Sequence, residues 1–199
     1  MKKQVVVLYG GRTFDNYKQY ITSLKKREVT ADTFKSHASW RESLVKNLGR
    51  NYEVFTPKMP NPNNSVYNEW KIWFEKITPF LKNNVILIGH SLGGIFLAMY
   101  FSEKKYAKKI KAVFLVAAPY DDATNEPLGD FILPKSLKKF SDQAPLIYVL
   151  QSKDDDVVPF KEAYKYQKAL PTAKLTMFGK KGHFALEKFP ELVSLIKHL

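Results

Sequence analysis

Ser91 is the residue whose type and setting could do chemistry, because it lies in Gly89-His90-Ser91-Leu92-Gly93. An apolar run, Val85 to Ile88, precedes this pattern, and a helix-forming apolar run follows it. A strand that turns sharply into a helix exposes its turn residue above the sheet edge, and the close approach of strand and helix requires small residues on either side. We interpret Ser91 as a nucleophile on such an elbow. The alternative is a glycine-rich turn with an ordinary serine.

A serine hydroxyl is a weak nucleophile at neutral pH, so Ser91 needs a histidine as base and a carboxylate to orient that histidine. In hydrolases with a strand–turn–helix nucleophile, the chain order is serine, acid, histidine. His37 precedes the elbow, His90 lies inside it with no partner expected, and His198 is next to last in a terminal helix. His183 follows the last predicted strand in a loop with Gly182, where the sheet edge should face Ser91. We predict His183 as the base; an ordinary surface histidine is the alternative.

The acid has several candidates. Three aspartates at 154–156 follow the fifth predicted strand, and any of them could turn towards the histidine. Asp121 or Asp122, after the fourth strand, is a rival because the same sheet edge passes there. The pattern Asp-x-x-Val-Pro favours Asp155, since it places the aspartate on the loop, the valine inward and the proline at the start of a helix. We expect at least one of the three neighbouring aspartates only to cap a solvated turn.

Backbone N–H groups must hold the oxyanion that forms during acyl transfer. The first predicted strand ends in Tyr9-Gly10-Gly11-Arg12-Thr13, and the two glycines allow N–H groups to face a ligand. We predict the N–H groups of Leu92 and Gly11 as the oxyanion hole. The N–H of Arg12 is the alternative second donor.

Six short apolar runs are typical of strands covered on both faces: 5–8, 52–55, 85–88, 112–117, 146–150 and 173–178. Helical patterns separate them. This alternation predicts an α/β fold, a three-layer α/β/α sandwich with a mostly parallel six-stranded sheet, formed by a single domain over residues 1–199. Ligands should bind beyond the carboxyl ends of the strands, and every candidate residue above follows a strand.

Three helices are predicted before the third strand. The segment 14–37 is polar, and we expect one short helix in it, around Tyr17 to Lys26. A second helix has Ser36 or Ser39 as its cap and ends at Gly49. A third, long helix carries apolar side chains on one face, which we interpret as core and not as a cofactor site: Trp70, Trp73, Phe74, Ile77 and Leu81.

Composition limits the functions that the chain can have. No run approaches the roughly 18 apolar residues of a membrane helix, so we expect no membrane insertion. The first residues, with Val5-Val6-Val7, read as a strand and not as a signal peptide. Cysteine is absent, which excludes disulfides and thiolate metal sites, and we expect a cytoplasmic protein.

The formal net charge of +13 could attract nucleic acid, anionic membranes or acidic substrates. Most of the 32 basic residues are lysines scattered along the chain, without an arginine-rich segment or a basic stripe with interleaved aromatics. We therefore interpret the charge as a solvated lysine surface and expect no nucleic-acid partner.

Three motifs together resemble the α/β-hydrolase superfamily: Gly89-His90-Ser91-Leu92-Gly93-Gly94, Ser152-Lys153-Asp154-Asp155-Asp156-Val157-Val158-Pro159 and Gly182-His183-Phe184. The chain is more closely similar to the small, lidless serine hydrolases related to retinoblastoma-binding protein 9, which also have a Met-Pro-x-Pro segment before an aromatic helix; here it begins at Met59. The resemblance implies a sheet order of 2-1-3-4-5-6, with strands numbered along the chain. It also implies that Asp155, three before the valine of Val-Pro, is the acid.

Two features depart from the resembled family. It usually has His-Gly at the first turn, where this chain has Tyr9-Gly10-Gly11, and the segment from Tyr17 to His37 is longer than in its smallest members.

The sequence therefore predicts a serine hydrolase that cleaves small carboxylic esters, or thioesters or amides, through Ser91, His183 and Asp155. The expected partner is a small-molecule acyl substrate, with no metal or organic cofactor. The alternative is a non-catalytic module that keeps the fold and binds a protein partner, since members of the resembled family are named for such partners.

Overall fold

The computed structural model describes residues 2–35, 38–121, 124 and 126–199. Its strands are β1 Lys3–Leu8, β2 Tyr52–Phe55, β3 Val85–His90, β4 Ile110–Val116, β5 Ile147–Ser152 and β6 Lys174–Phe178. Its α-helices are α1 Tyr17–Lys26, α2 Trp40–Leu48, α3 Tyr67–Ile77, α4 Leu92–Glu103, α5 Lys138–Gln143, α6 Lys161–Ala169 and α7 Pro190–Lys197. Two short 3₁₀ helices, Ala31–Phe34 and Thr78–Phe80, complete the set.

The six strands form one sheet in the order β2-β1-β3-β4-β5-β6, and every neighbouring pair is parallel. This confirms both the predicted fold class and the order that the family resemblance implied. Because all strands run in the same direction, the loops that follow them meet at one edge of the sheet.

Side chains alternate between the two faces of the sheet, which gives the molecule two separate cores. Val6 and Leu8 pack on one face with α3 to α6, whereas Val5 and Val7 pack on the other with α2 and α7. Helix α4 lies under the sheet centre, and ten of its twelve residues are buried. It can therefore hold its first turn in a fixed place.

Local signals explain where α2 and α3 begin and end. The Ser39 hydroxyl accepts a hydrogen bond from the first turn of α2, and Gly49 ends that helix at φ 83°, a conformation that favours glycine. The prediction for α3 was partly wrong. Trp73 is 43% exposed, and Leu81 is buried but lies beyond the helix, which tightens into a 3₁₀ turn at Thr78.

Helix α1 was predicted with its observed bounds, and it buries none of its side chains. It and the residues after it expose large apolar groups, with Tyr17 at 68% and Phe34 at 79%. A 610 Å³ groove lies along α1 and reaches Arg12.

No helix in the described part of the chain is both long and apolar enough to cross a bilayer. Among the same residues, no three histidine or acidic side chains are grouped in a way that could hold a metal ion.

Candidate active site

Ser91 is the single residue between the end of β3 and the start of α4, so the chain reverses direction at this side chain. Its backbone has φ 55° and ψ −126°, a combination that non-glycine residues rarely adopt and that costs of the order of 1–3 kcal/mol. The surroundings hold it there, since the Ser91 N–H donates to the Val116 carbonyl at 2.8 Å and the Ser91 carbonyl accepts from the Gly94 N–H at 2.8 Å. The serine is therefore presented by a strained turn on a buried scaffold.

The glycines around the serine are required by contact distances. A Cβ added to Gly89 would lie 2.4 Å from the Gly93 carbonyl oxygen, and one added to Gly10 would lie 2.8 Å from the Ser91 Cβ. Neither the Gly93 carbonyl nor the Ser91 Cβ, which is fixed by its own backbone, can move away by that amount. Gly10 thus lets the loop after β1 pass directly beside the serine.

His183 lies in the loop after β6, and its Nδ1 is 3.0 Å from each carboxylate oxygen of Asp155. Asp155 is buried, and its Oδ1 also accepts hydrogen bonds from the N–H groups of Val157 and Val158. Because the carboxylate can only accept, Nδ1 carries the proton and Nε2 keeps a free lone pair. This is the arrangement that a general base requires.

The neighbouring Asp154 has a different task. It is exposed and accepts hydrogen bonds from the Ser152 hydroxyl at 2.5 Å and from the N–H groups of Lys181 and Gly182. The bond from Ser152, with those from the two N–H groups, holds the pKa of the Asp154 carboxyl below its ordinary value. Asp154 therefore fixes the turn that carries His183.

The other candidates for the carboxylate that orients His183 either are placed elsewhere or lie outside the described residues. Asp121 forms an ion pair with Lys165 at 2.6 Å, and Asp156 is exposed. Asp122 and His37, both considered from the sequence, lie outside the described residues.

The expected oxyanion donors border the serine. Gly11 and Leu92 line a hollow of about 20 Å³ with Ser91, and Leu92 begins α4, so its N–H has no intrahelical acceptor. The Arg12 N–H, the alternative donor, instead binds the Pro62 carbonyl at 2.8 Å. Among the described residues, the Gly11 N–H has no such acceptor.

The expectation that His90 lacks a partner was wrong. Its Nε2 donates to the backbone carbonyl of His183 at 2.9 Å, and the two rings lie 5.0 Å apart. The loop of His183 is also held by α2, because the Trp40 indole N–H donates to the Phe184 carbonyl at 3.1 Å and the Trp40 N–H to the Leu186 carbonyl at 2.7 Å. Thus β3 and α2 both hold the loop that carries His183.

Ser91 and His183 share a second, larger cavity of about 290 Å³. Three charged residues also line it, and the sequence analysis had considered none of their side chains: Arg12, Arg41 and Glu126. Arg12 pairs with Glu126 at 3.2 Å, and the Arg41 guanidinium lies 3.8 Å from the centre of the Tyr9 ring. Arg41 lies in the first turn of α2, a helix that was predicted from its apolar face, and the serine cap was the sequence signal for this end of the helix.

Comparison with known proteins identifies the family of the chain. A family model described as serine hydrolase matches residues 33–195, a range that includes Ser91, Asp155 and His183. The serine hydrolase RBBP9 of Rattus norvegicus is 30% identical over 151 residues, which cover 74% of this chain and 78% of that protein.

Solved structures show the same fold at lower identity. The ydeN gene product of B. subtilis superposes with a TM-score of 0.79 and 20% identity, covering 99% of this chain and 98% of that one. A meta-cleavage product hydrolase from Pseudomonas fluorescens superposes with a TM-score of 0.69 and 13% identity, covering 98% of this chain and 89% of that one. Because the family model matches most of the chain, from residue 33 to residue 195, the chain belongs to the serine hydrolase family.

Proposed function

We propose that the protein hydrolyses carboxylic esters by acyl transfer, with Ser91 as nucleophile, His183 as general base and Asp155 as the acid that orients it. The observation that carries the proposal is the contact of the buried Asp155 carboxylate with His183 Nδ1, beside a cavity that His183 shares with Ser91. The free Nε2 is then the atom that can take the serine proton.

The reaction divides into two steps. The Ser91 oxygen attacks the ester carbonyl while its proton passes to His183, and the Asp155 carboxylate stabilises the imidazolium that forms. The carbonyl oxygen becomes an oxyanion that accepts from the N–H groups of Gly11 and Leu92, aided by the positive end of the α4 dipole. His183 returns the proton to the departing alcohol, and water then releases the acid by the same route.

The size of the site favours a small acyl group. The hollow of about 20 Å³ beside the oxyanion donors has room for about one methyl-sized group, and its walls include Leu128 and Val158. A thioester or an amide would follow the same course. Nothing in these steps requires a cofactor.

The test is labelling by a fluorophosphonate probe together with turnover of 4-nitrophenyl acetate. We expect wild-type protein to be labelled and active, Ser91→Ala to lose both, and His183→Ala to lose turnover by at least a thousandfold. His198→Ala is the matched control, because that histidine is exposed at the end of α7. A folded wild-type protein that neither labels nor turns over the ester would favour the non-catalytic, protein-binding alternative.

A further inference from the structure

Two of the chain's four arginines line the cavity that contains Ser91 and His183. They are Arg12 and Arg41, in a protein in which 28 of the 32 basic residues are lysines. A guanidinium is planar and presents paired N–H donors that match a carboxylate, whereas a lysine ammonium is a point charge. Two side chains suited to binding a carboxylate thus lie beside Ser91.

Arg41 is held in place by neutral groups. Its guanidinium lies 3.8 Å from the centre of the Tyr9 ring, and its Nε donates to the Ser39 hydroxyl at 2.9 Å. In the part of the chain that the structure describes, no carboxylate lies within 4 Å of it. Arg12, in contrast, is paired with Glu126. Arg41 is therefore a half-buried cation whose two terminal amino groups are not used by any carboxylate among the described residues.

The two spaces beside Ser91 indicate which part of a substrate Arg41 would meet. Leu92, an expected oxyanion donor, borders the small hollow, whereas His183 borders the larger cavity with Arg41. The histidine must return its proton to the departing oxygen, so the leaving group has to lie on its side. The acyl group then occupies the hollow, and the alcohol part lies in the cavity with the arginines.

We propose that the substrates are esters of a small acyl group in which the leaving alcohol carries a carboxylate, and that Arg41 binds this carboxylate. The inference rests on the proposed function. The Ser91 oxygen forms the new ester bond as the bond to the hydroxy acid breaks, and the serine proton leaves with that hydroxy acid through His183. Water then releases the small carboxylic acid.

The experiment compares 4-acetoxybenzoate, which is anionic, with its neutral methyl ester, in wild type, Arg41→Gln and Arg50→Gln. Differences in the leaving groups cancel when each variant is compared with wild type on the same substrate. We expect Arg41→Gln to lower kcat/KM for the anionic ester at least tenfold more than for the neutral one. Arg50→Gln removes the same charge from an exposed position next to Gly49, and both substrates should keep their wild-type values.

A second measurement separates this inference from the proposed function. Binding of 4-hydroxybenzoate to Ser91→Ala protein, followed by calorimetry, should weaken about tenfold when Arg41→Gln is added. Hydrolysis of both esters with equal losses in Arg41→Gln would overturn the anion site and leave the esterase intact. If neither ester is cleaved, the binding measurement decides: unchanged affinity in the Arg41→Gln background, or no binding at all, overturns the inference.

Discussion

Asp154 and Asp155 are adjacent carboxylates of the same type, and their surroundings give them different roles. Asp155 turns inward, and His183 Nδ1 lies 3.0 Å from both of its oxygens. Asp154 turns outward to the N–H groups of Lys181 and Gly182. One residue thus orients the imidazole ring, and the other holds the loop that carries it.

This difference predicts unequal effects of the same substitution. Asp155→Asn replaces an acceptor with an amide that can donate to Nδ1, which favours the tautomer with its proton on Nε2. We expect kcat for 4-nitrophenyl acetate to fall by about 10³- to 10⁴-fold, as for a triad aspartate. Asp154→Asn keeps an oxygen acceptor and should cost less than tenfold. Larger damage from Asp154→Asn or Asp122→Asn would show that Asp155 is not the acid.

At the scale of elements, α2 and β3 both reach the loop that follows β6. Trp40, the first residue of α2, donates from its indole and its backbone to that loop, and its ring packs edge-on against Phe189 and His90. The loop of His183 is therefore attached to elements far away in sequence, and its position depends on how α2 packs on the sheet.

Trp40→Phe tests this attachment. The substitution removes the indole donor and leaves the buried Phe184 carbonyl without its partner, which should lower the free energy of unfolding by about 1–3 kcal/mol. Chemical denaturation measures the change. Trp73→Phe is the control, since Trp73 is exposed on α3, and it should change stability by less than about 0.5 kcal/mol. Equal effects of the two substitutions would contradict a special role for the Trp40 indole.

For the molecule as a whole, the partly buried imidazole of His90 couples folding to pH. Burial, with the nearby His183 and Arg41, lowers the pKa of His90 to about 3, although Asp155 and the hydrogen bond to the His183 carbonyl oppose the shift. An unfolded histidine has a pKa near 6.5. As pH falls below about 6.5, the unfolded state binds a proton that the folded state does not, so stability is lost between about pH 6.5 and 3.

His90→Gln should reduce this acid sensitivity, because an amide keeps a donor for the His183 carbonyl and does not titrate. We expect the free energy of unfolding of wild type to fall more steeply than that of His90→Gln from pH 6 to pH 4. One proton accounts for a slope difference of at most about 1.4 kcal/mol per pH unit. Urea titrations at each pH measure it, and parallel curves would show that His90 does not set the acid limit.

The sequence alone determined the order of elements and the identity of the chemical groups. The strands can be recognised in the sequence because a strand buried on both faces must be apolar throughout. The turn at Ser91 can be recognised because glycines are needed where strand and helix touch. Local capping placed the end of α2 at Gly49. The exposure of Trp73 was not predictable. Apolar periodicity identifies which side of a helix faces the core, but it does not show how much of that side the neighbouring elements cover.

Only the tertiary structure decided which groups meet. The sequence favoured Asp155 but kept its two neighbours as alternatives, because adjacent residues on a loop differ in direction and not in type. It gave His90 no partner because the His183 carbonyl is 93 residues away. It likewise read the charge as a lysine surface and did not foresee that packing of α2 on the sheet brings Arg41 over Tyr9 and into the cavity of Ser91. Spacing along the chain encodes local structure, but contacts between loops at a sheet edge depend on the whole fold.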